Sequence, residues 1–315
     1  LKRIVWSFLV FWLIWGLIWL ALSHWRDDQG ALVLWYAEPS FSYLVPVKMP
    51  EALATAQTPQ AKALMIVALL REHVPLGLGS PLVGVEGIEN VASAGGTGGF
   101  RLVLKPGIGS AAERLAVGAL VRTLSGVFTD TKDWQVSLGS PQAQRFESQH
   151  LDLSKPLRAA DFENQVDTRH LGITARLWLR VTGSAYLVPC RVALSGQSDT
   201  PGRDALAMLA TVSAWAPESL DTPLPGGMRV TWSGMASGVV TLTVDTESTV
   251  SREGQTVALV ALVNSLLGIP GIEAVDFRFE STPPPDGLPF DCRVPIRRPL
   301  DSADGYILSG GTKAW

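Results

Sequence analysis

Cysteine, histidine and charge are all scarce in this chain: two Cys, four His and only 17% charged residues among 315. The histidines His24, His73, His150 and His170 are scattered, and none has a partner at metal-ligand spacing, so no metal or other cofactor is expected. No Gly-x-Ser-x-Gly occurs, which removes the strained elbow of a serine hydrolase. The Gly-rich run Gly95-Gly96-Thr97-Gly98-Gly99 lacks the Gly-Lys-Ser/Thr of a phosphate loop and leads into Phe100-Arg101-Leu102-Val103, which reads as a strand; the run is a hairpin turn. There is no long basic run and the formal net charge is −3, so nucleic acid has no electrostatic footprint to meet. The best acidic pair, Asp245 and Glu247, falls where a strand passes to a helix, a position for capping and not for a catalytic cleft. The chain is not expected to be an enzyme.

One apolar run stands out. Ile4 to Leu22 carries no charge, and as a helix it spans about 28 Å, the thickness of a hydrocarbon core. Lys2 and Arg3 precede it and Arg26 with Asp27 and Asp28 follow, so the positive-inside rule keeps the N-terminus cytoplasmic and puts the rest outside. Trp6 lies near one end, while Trp12, Trp15 and Trp19 share one helical face. Ala21-Leu22-Ser23 is a poor cleavage site and no Cys follows for lipidation, which leaves a single-pass anchor in the cell membrane. The outside is an oxidising place, so Cys190 and Cys292 either form a disulfide that clips the tail to the body or remain two unpaired thiols.

Beyond the anchor the chain says the same thing twice. Leu34-Trp35 and Tyr43-Leu44-Val45-Pro46 return 143 residues later as Leu177-Trp178 and Tyr186-Leu187-Val188-Pro189. Thr58-Pro59, Pro81-Leu82 and Ala119-Leu120-Val121 return 142 residues later as Thr200-Pro201, Pro223-Leu224 and Ala261-Leu262-Val263. An offset this steady means a duplicated domain.

Each copy reads as ββαββαβ, an α+β domain with helices packed on a mixed sheet. Two β-rich runs come first. A helix opened by Thr-Pro follows, with Pro at a position whose N–H has no partner to lose. Then come a hairpin, a second helix and a closing strand. Ser110 and Glu113 form a capping-box pattern at the second helix of the first copy. The bodies of the second helices, Leu115 to Leu124 and Val257 to Leu267, are apolar nearly all round. Such helices need cover on most sides, which makes Leu259 and Leu262 candidates for a partner interface. In the second copy Arg176 and Arg180 point one way from their strand, and Leu177 and Leu179 the other. The expected organisation is a transmembrane anchor over 1–25, a first domain over 30–140, a connector over 141–172, a second domain over 173–281 and a Pro-rich tail over 282–315.

Several of these elements, read in order, resemble the GerMN domain of the sporulation and spore germination family. They are the opening strand leading to Tyr-Leu-Val-Pro, the helix Ala61-Lys62-Ala63-Leu64 through Leu70, and Thr222 to Met228. The most specific is the run Leu266, Pro270, Gly271, Ile272, Val275 that closes the second copy. The first copy departs from the pattern, with Val127-Phe128-Thr129-Asp130 in place of Ile269-Pro270-Gly271-Ile272. The resemblance implies a membrane-anchored extracytoplasmic module, similar in build to ring-building modules of secretion and sporulation assemblies. Its partners would be envelope or sporulation-assembly proteins, with a homo-oligomer also open. A second function class is a binding protein for a small molecule or cell-wall glycan, its site between the copies and its candidate aromatics Trp35, Trp178, Trp215 and Trp232.

Overall fold

The structure is a computed structural model that describes residues 32–49, 58–94, 96–105, 108–139, 145–146, 151–167, 172–196, 199–280, 283–284, 288, 290–297 and 299–300. The anchor residues Ile4, Trp6, Trp12, Trp15, Trp19 and Leu22 lie outside the described residues. Among the described residues, no helix is long and apolar enough to cross a membrane.

Both copies follow the ββαββαβ order. The first has β1 (Leu32–Ala37), β2 (Leu44–Met49), α1 (Pro59–Glu72), β3 (Val85–Ala94), β4 (Thr97–Leu104), α2 (Ser110–Val127) and β5 (Asp133–Gly139), with a short β6 (Arg145–Phe146) beyond. A two-residue β7 (Asn164–Gln165) lies between the copies. The second has β8 (Thr174–Val181), β9 (Leu187–Ala193), α3 (Pro201–Ala210), a short β10 (Leu220–Asp221), β11 (Met228–Ala236), β12 (Val239–Thr246), α4 (Arg252–Leu267) and β13 (Ala274–Phe279). Thr58 caps α1 through its hydroxyl, which accepts from the Ala61 N–H at 3.1 Å. Ser110 is the first residue of α2 instead of its cap, and Gly109 holds the cap position, so the expected capping box does not form.

The strands do not make one sheet per copy. β1 and β2 form an antiparallel hairpin sheet of their own, as do β8 and β9 with β10 and β7 added, and each copy has a separate mixed sheet. In that second sheet an antiparallel pair (β3 with β4, β11 with β12) is extended by a parallel strand, β5 or β13. In the second copy α4 touches β8 of the hairpin sheet and β13 of the mixed one. This placement answers the all-apolar helix. One sheet covers one stripe of a helix, and α4 is buried at every residue from Val257 to Leu266, so cover is needed on opposite sides.

The repeat extends to single hydrogen bonds. The main-chain N–H of Trp35 donates to the Thr123 hydroxyl of α2, and that of Trp178 donates to the Ser265 hydroxyl of α4 at 2.8 Å. Thr123 and Ser265 are both buried, and each satisfies a strand N–H that has no neighbouring strand to pair with. Ser265→Ala is expected to cost about 1–2 kcal/mol, read by urea unfolding, because it strands the Trp178 N–H. A change within error would show that N–H to be hydrated.

The duplication also runs further than the opening reading took it. Leu151-Asp152-Leu153-Ser154-Lys155-Pro156-Leu157-Arg158 matches Phe290-Asp291-Cys292-Arg293-Val294-Pro295-Ile296-Arg297, with Asp, Pro and Arg at equal places. In both, the Asp carboxylate accepts the main-chain N–H two residues on, closing a turn. In both, the residue after the shared Pro makes a two-way bridge to the last strand: Leu157 with Trp134 at 2.8 Å each way, and Ile296 with Val275 at 2.8 and 2.9 Å. The stretches expected to be connector and tail therefore begin as straps that close the edge of their own sheet.

Candidate functional site at the junction of the two domains

After its strap the first domain's chain turns through a 3-10 helix, Ala159–Phe162, laid against α2. Gly118 makes room for it, since a Cβ there would stand 2.7 Å from the Phe162 ring. The chain then enters β7, which pairs in parallel with β9 of the second domain, Asn164 opposite Cys190 and Gln165 opposite Arg191.

Asn164 joins the two hairpin sheets. Its side-chain amide is buried, donates to Leu44 O at 2.8 Å and Pro189 O at 3.1 Å, and accepts from Leu44 N at 2.8 Å. Toward β2 it offers one donor and one acceptor side by side, as a neighbouring strand would. The prolines explain why it is needed. Pro46 in β2 and Pro189 in β9 occupy equal places in the repeat, each opposite a Trp, and a residue without N–H belongs on a sheet edge. The repeated Tyr-Leu-Val-Pro thus marks the second strands of the two hairpins, which face each other across Asn164.

Charged groups brace the same junction. Arg176 of β8 binds Glu163, its Nη2 2.5 Å and Nε 2.7 Å from Oε1, and the Glu163 side chain is mostly buried. Arg122 of α2 lies 3.6 Å from the centre of the Trp35 ring and donates to Phe162 O at 3.2 Å. Burial pushes the Arg122 guanidinium down to about 10, with Arg176 adding to the shift, and it still carries its charge at neutral pH. Arg122 occupies the place that Asn264 holds in the second domain. Asn264 likewise holds the end of its own strap, donating to Leu300 O and accepting from Leu300 N at 2.7 Å each.

A cleft of about 430 Å³ opens beside this junction, with Phe41, Tyr43, Leu115 and Phe162 as its apolar walls and Arg114 and Asn164 as polar ones. Burial, then nearby Cys190 and Glu38, push the Tyr43 hydroxyl up. Among the described residues that line it Glu163 is the one carboxylate, and it is held by Arg176.

The residues singled out from sequence fall as follows. Cys190 and Cys292 are two free, buried thiols, and burial pushes each one up. Neither should react with a thiol reagent in the native protein, and both should react in denaturant. A chain that showed no thiol even when denatured would carry the disulfide instead. Leu259 and Leu262 have no exposed surface, which corrects their expected place in a partner interface: their own domain's two sheets enclose them. Asp245 lies on the sheet face opposite Arg229, and Glu247 is exposed. Neither caps α4, whose cap is Ser251. Trp35 is half-buried under Arg122, Trp178 is half-buried in β8, and Trp215 donates to Met208 O at 3.1 Å. Trp232 lies half-buried on β11. Of these Trp35 meets the junction through Arg122; repeat identity could single out none of Arg122, Glu163 and Asn164. The Gly-rich run is a hairpin tip, tighter than expected, with Ala94 already paired to Thr97. Among the described residues no three His, Cys, Asp or Glu are grouped to hold a metal ion.

No family model and no curated protein matches the sequence significantly. Among solved structures the chain is similar to the tandem GerMN domains of the sporulation protein GerM from Bacillus subtilis. The identity is 16% and the TM-score 0.51, over 86% of this chain and 98% of that one. The first GerMN domain of the same protein also matches, with 19% identity and a TM-score of 0.30 over 35% of this chain and 84% of that one. The likeness to the tandem structure is one of fold: two GerMN-type domains in series.

Proposed function

We propose that this chain is an extracytoplasmic scaffolding protein, anchored by residues 4–22, that presents two GerMN-type domains as one rigid body to partner proteins of a cell-envelope assembly of the sporulation or germination type. The observation that carries the reading is the junction. Asn164 and Glu163 place buried polar groups so that they fix one domain against the other, as a protein that sets the spacing of partners requires. The tandem fold shared with a sporulation protein supports the class of assembly. The anchor reading rests on the uncharged run from Ile4 to Leu22 and its flanking charges.

Crosslinking in intact host cells, followed by solubilisation and mass spectrometry, tests this. Specific envelope proteins should be recovered with the wild type and lost when residues 1–25 are replaced by a cleavable export signal. Recovery of no other protein would overturn the scaffold role. It would leave the second reading, a small-molecule or glycan binder, whose supporting observation is the apolar-walled cleft beside Arg114.

A further inference from the structure

The two domains differ at the outer edge of their mixed sheets. In the first, α1 lies along β3 and closes that edge with side chains. Gln60 donates to Ile88 O at 3.2 Å and accepts from Val91 N at 2.8 Å, and Arg71 donates to Val85 O at 2.5 Å. Val85, Ile88 and Val91 are all buried beneath it. At the matching places the second domain has Gly202 and Ser213, which cannot reach a strand edge. Nor could Gly202 be enlarged, since a Cβ there would stand 2.8 Å from the Trp232 ring. The helix itself is cut short: α3 stops at Ala210 and the chain turns away through the 3-10 turn Val212–Ala214. Among the described residues β11 is therefore the edge strand of its sheet: Met228 N–H donates to Pro225 O at 3.0 Å, no side chain bonds the edge beyond it, and the inward-facing Val230 and Trp232 are half-exposed.

We propose that this edge pairs with the same edge of a second copy of the chain, antiparallel about Val230, making one six-stranded sheet across a two-fold axis. The inference does not depend on the scaffold reading. Three features of β11 favour a second copy. The bulge between Trp232 and Gly234 ends the regular run, which leaves Met228–Trp232 with Val230 at its midpoint. Pairing about that point sets the buried Met228 beside the partner's half-exposed Trp232, so each Trp232 ring gains apolar cover. Arg229 is the only charged residue in the run, with Asp245 of the same chain across from it on β12. It would face the partner's Thr231, and no like charges would oppose. An edge strand kept apart from its own kind usually carries charge along its length, and this run has a single arginine.

Val230→Cys in the full chain tests the pairing. Opposed residues at the centre of an antiparallel pair lie within disulfide reach. Cys190 and Cys292 are buried and do not compete. Under mild oxidation the variant should form a covalent dimer at least about tenfold faster than Ser237→Cys, which stands on the exposed hairpin tip outside the run. A second variant, Val230→Lys, should sediment as a monomer where the wild type sediments as a dimer, with unchanged circular dichroism. A wild type that stays monomeric, equal linking at both cysteines, or a Val230→Cys link to a different protein would each overturn the proposal.

Discussion

Asn164→Ala is expected to lower stability by about 3 kcal/mol. The substitution leaves Leu44 N–H, Leu44 C=O and part of Pro189 C=O without partners in a buried place, and each stranded group costs about 1–3 kcal/mol. The same change should weaken the coupling between domains, so urea unfolding by tryptophan fluorescence should broaden or split into two steps. Amide exchange at Leu44 should speed up, because its acceptor is the removed side chain. Asn164→Asp should be no better, since a carboxylate can accept from Leu44 N–H but has nothing to donate to Leu44 or Pro189. A loss below about 1 kcal/mol with Leu44 still protected would mean that water takes over the role of the amide.

The second large effect is at Leu262. It has no exposed surface and lies mid-way along α4 between two sheets. Leu262→Asp should therefore abolish folding of the second domain, at a cost of about 5 kcal/mol or more for an unpaired buried carboxylate. Leu262→Ala should cost about 2–5 kcal/mol through the cavity it leaves. Limited proteolysis would read the first, as rapid loss of the fragment from β8 to β13, and urea unfolding the second. A folded, protease-resistant Leu262→Asp would return this residue to the surface and revive the interface expected from its apolar surroundings. The contrast with Asn164 is instructive: one position is costly because it packs, the other because it pairs.

Much of the architecture could be read before any coordinates. The near-constant offset between Trp35 and Trp178 announced two copies, and strand alternation put Leu177 and Leu179 inside and Arg176 and Arg180 on the other face. The Thr58-Pro59 signal located a helix start to the residue. These are local features, set by backbone sterics and by side-chain period within a few residues. The second strap was harder, because only Asp, Pro and Arg recur in it among otherwise different residues.

Sequence by itself determined the duplication, the order ββαββαβ and the need of α4 for cover on every side. Tertiary structure alone decided where that cover comes from. An all-apolar helix demands burial but does not name its neighbour, and two sheets of its own domain supply it, so Leu259 and Leu262 face inward. The junction was decided the same way. Asn164 is 120 residues from Leu44 and 25 from Pro189, and no local pattern marks this one asparagine of the connector as a pairing residue. Its role exists only once two proline-marked strands are brought face to face, because a hydrogen bond over such separations is set by which strands the fold makes neighbours.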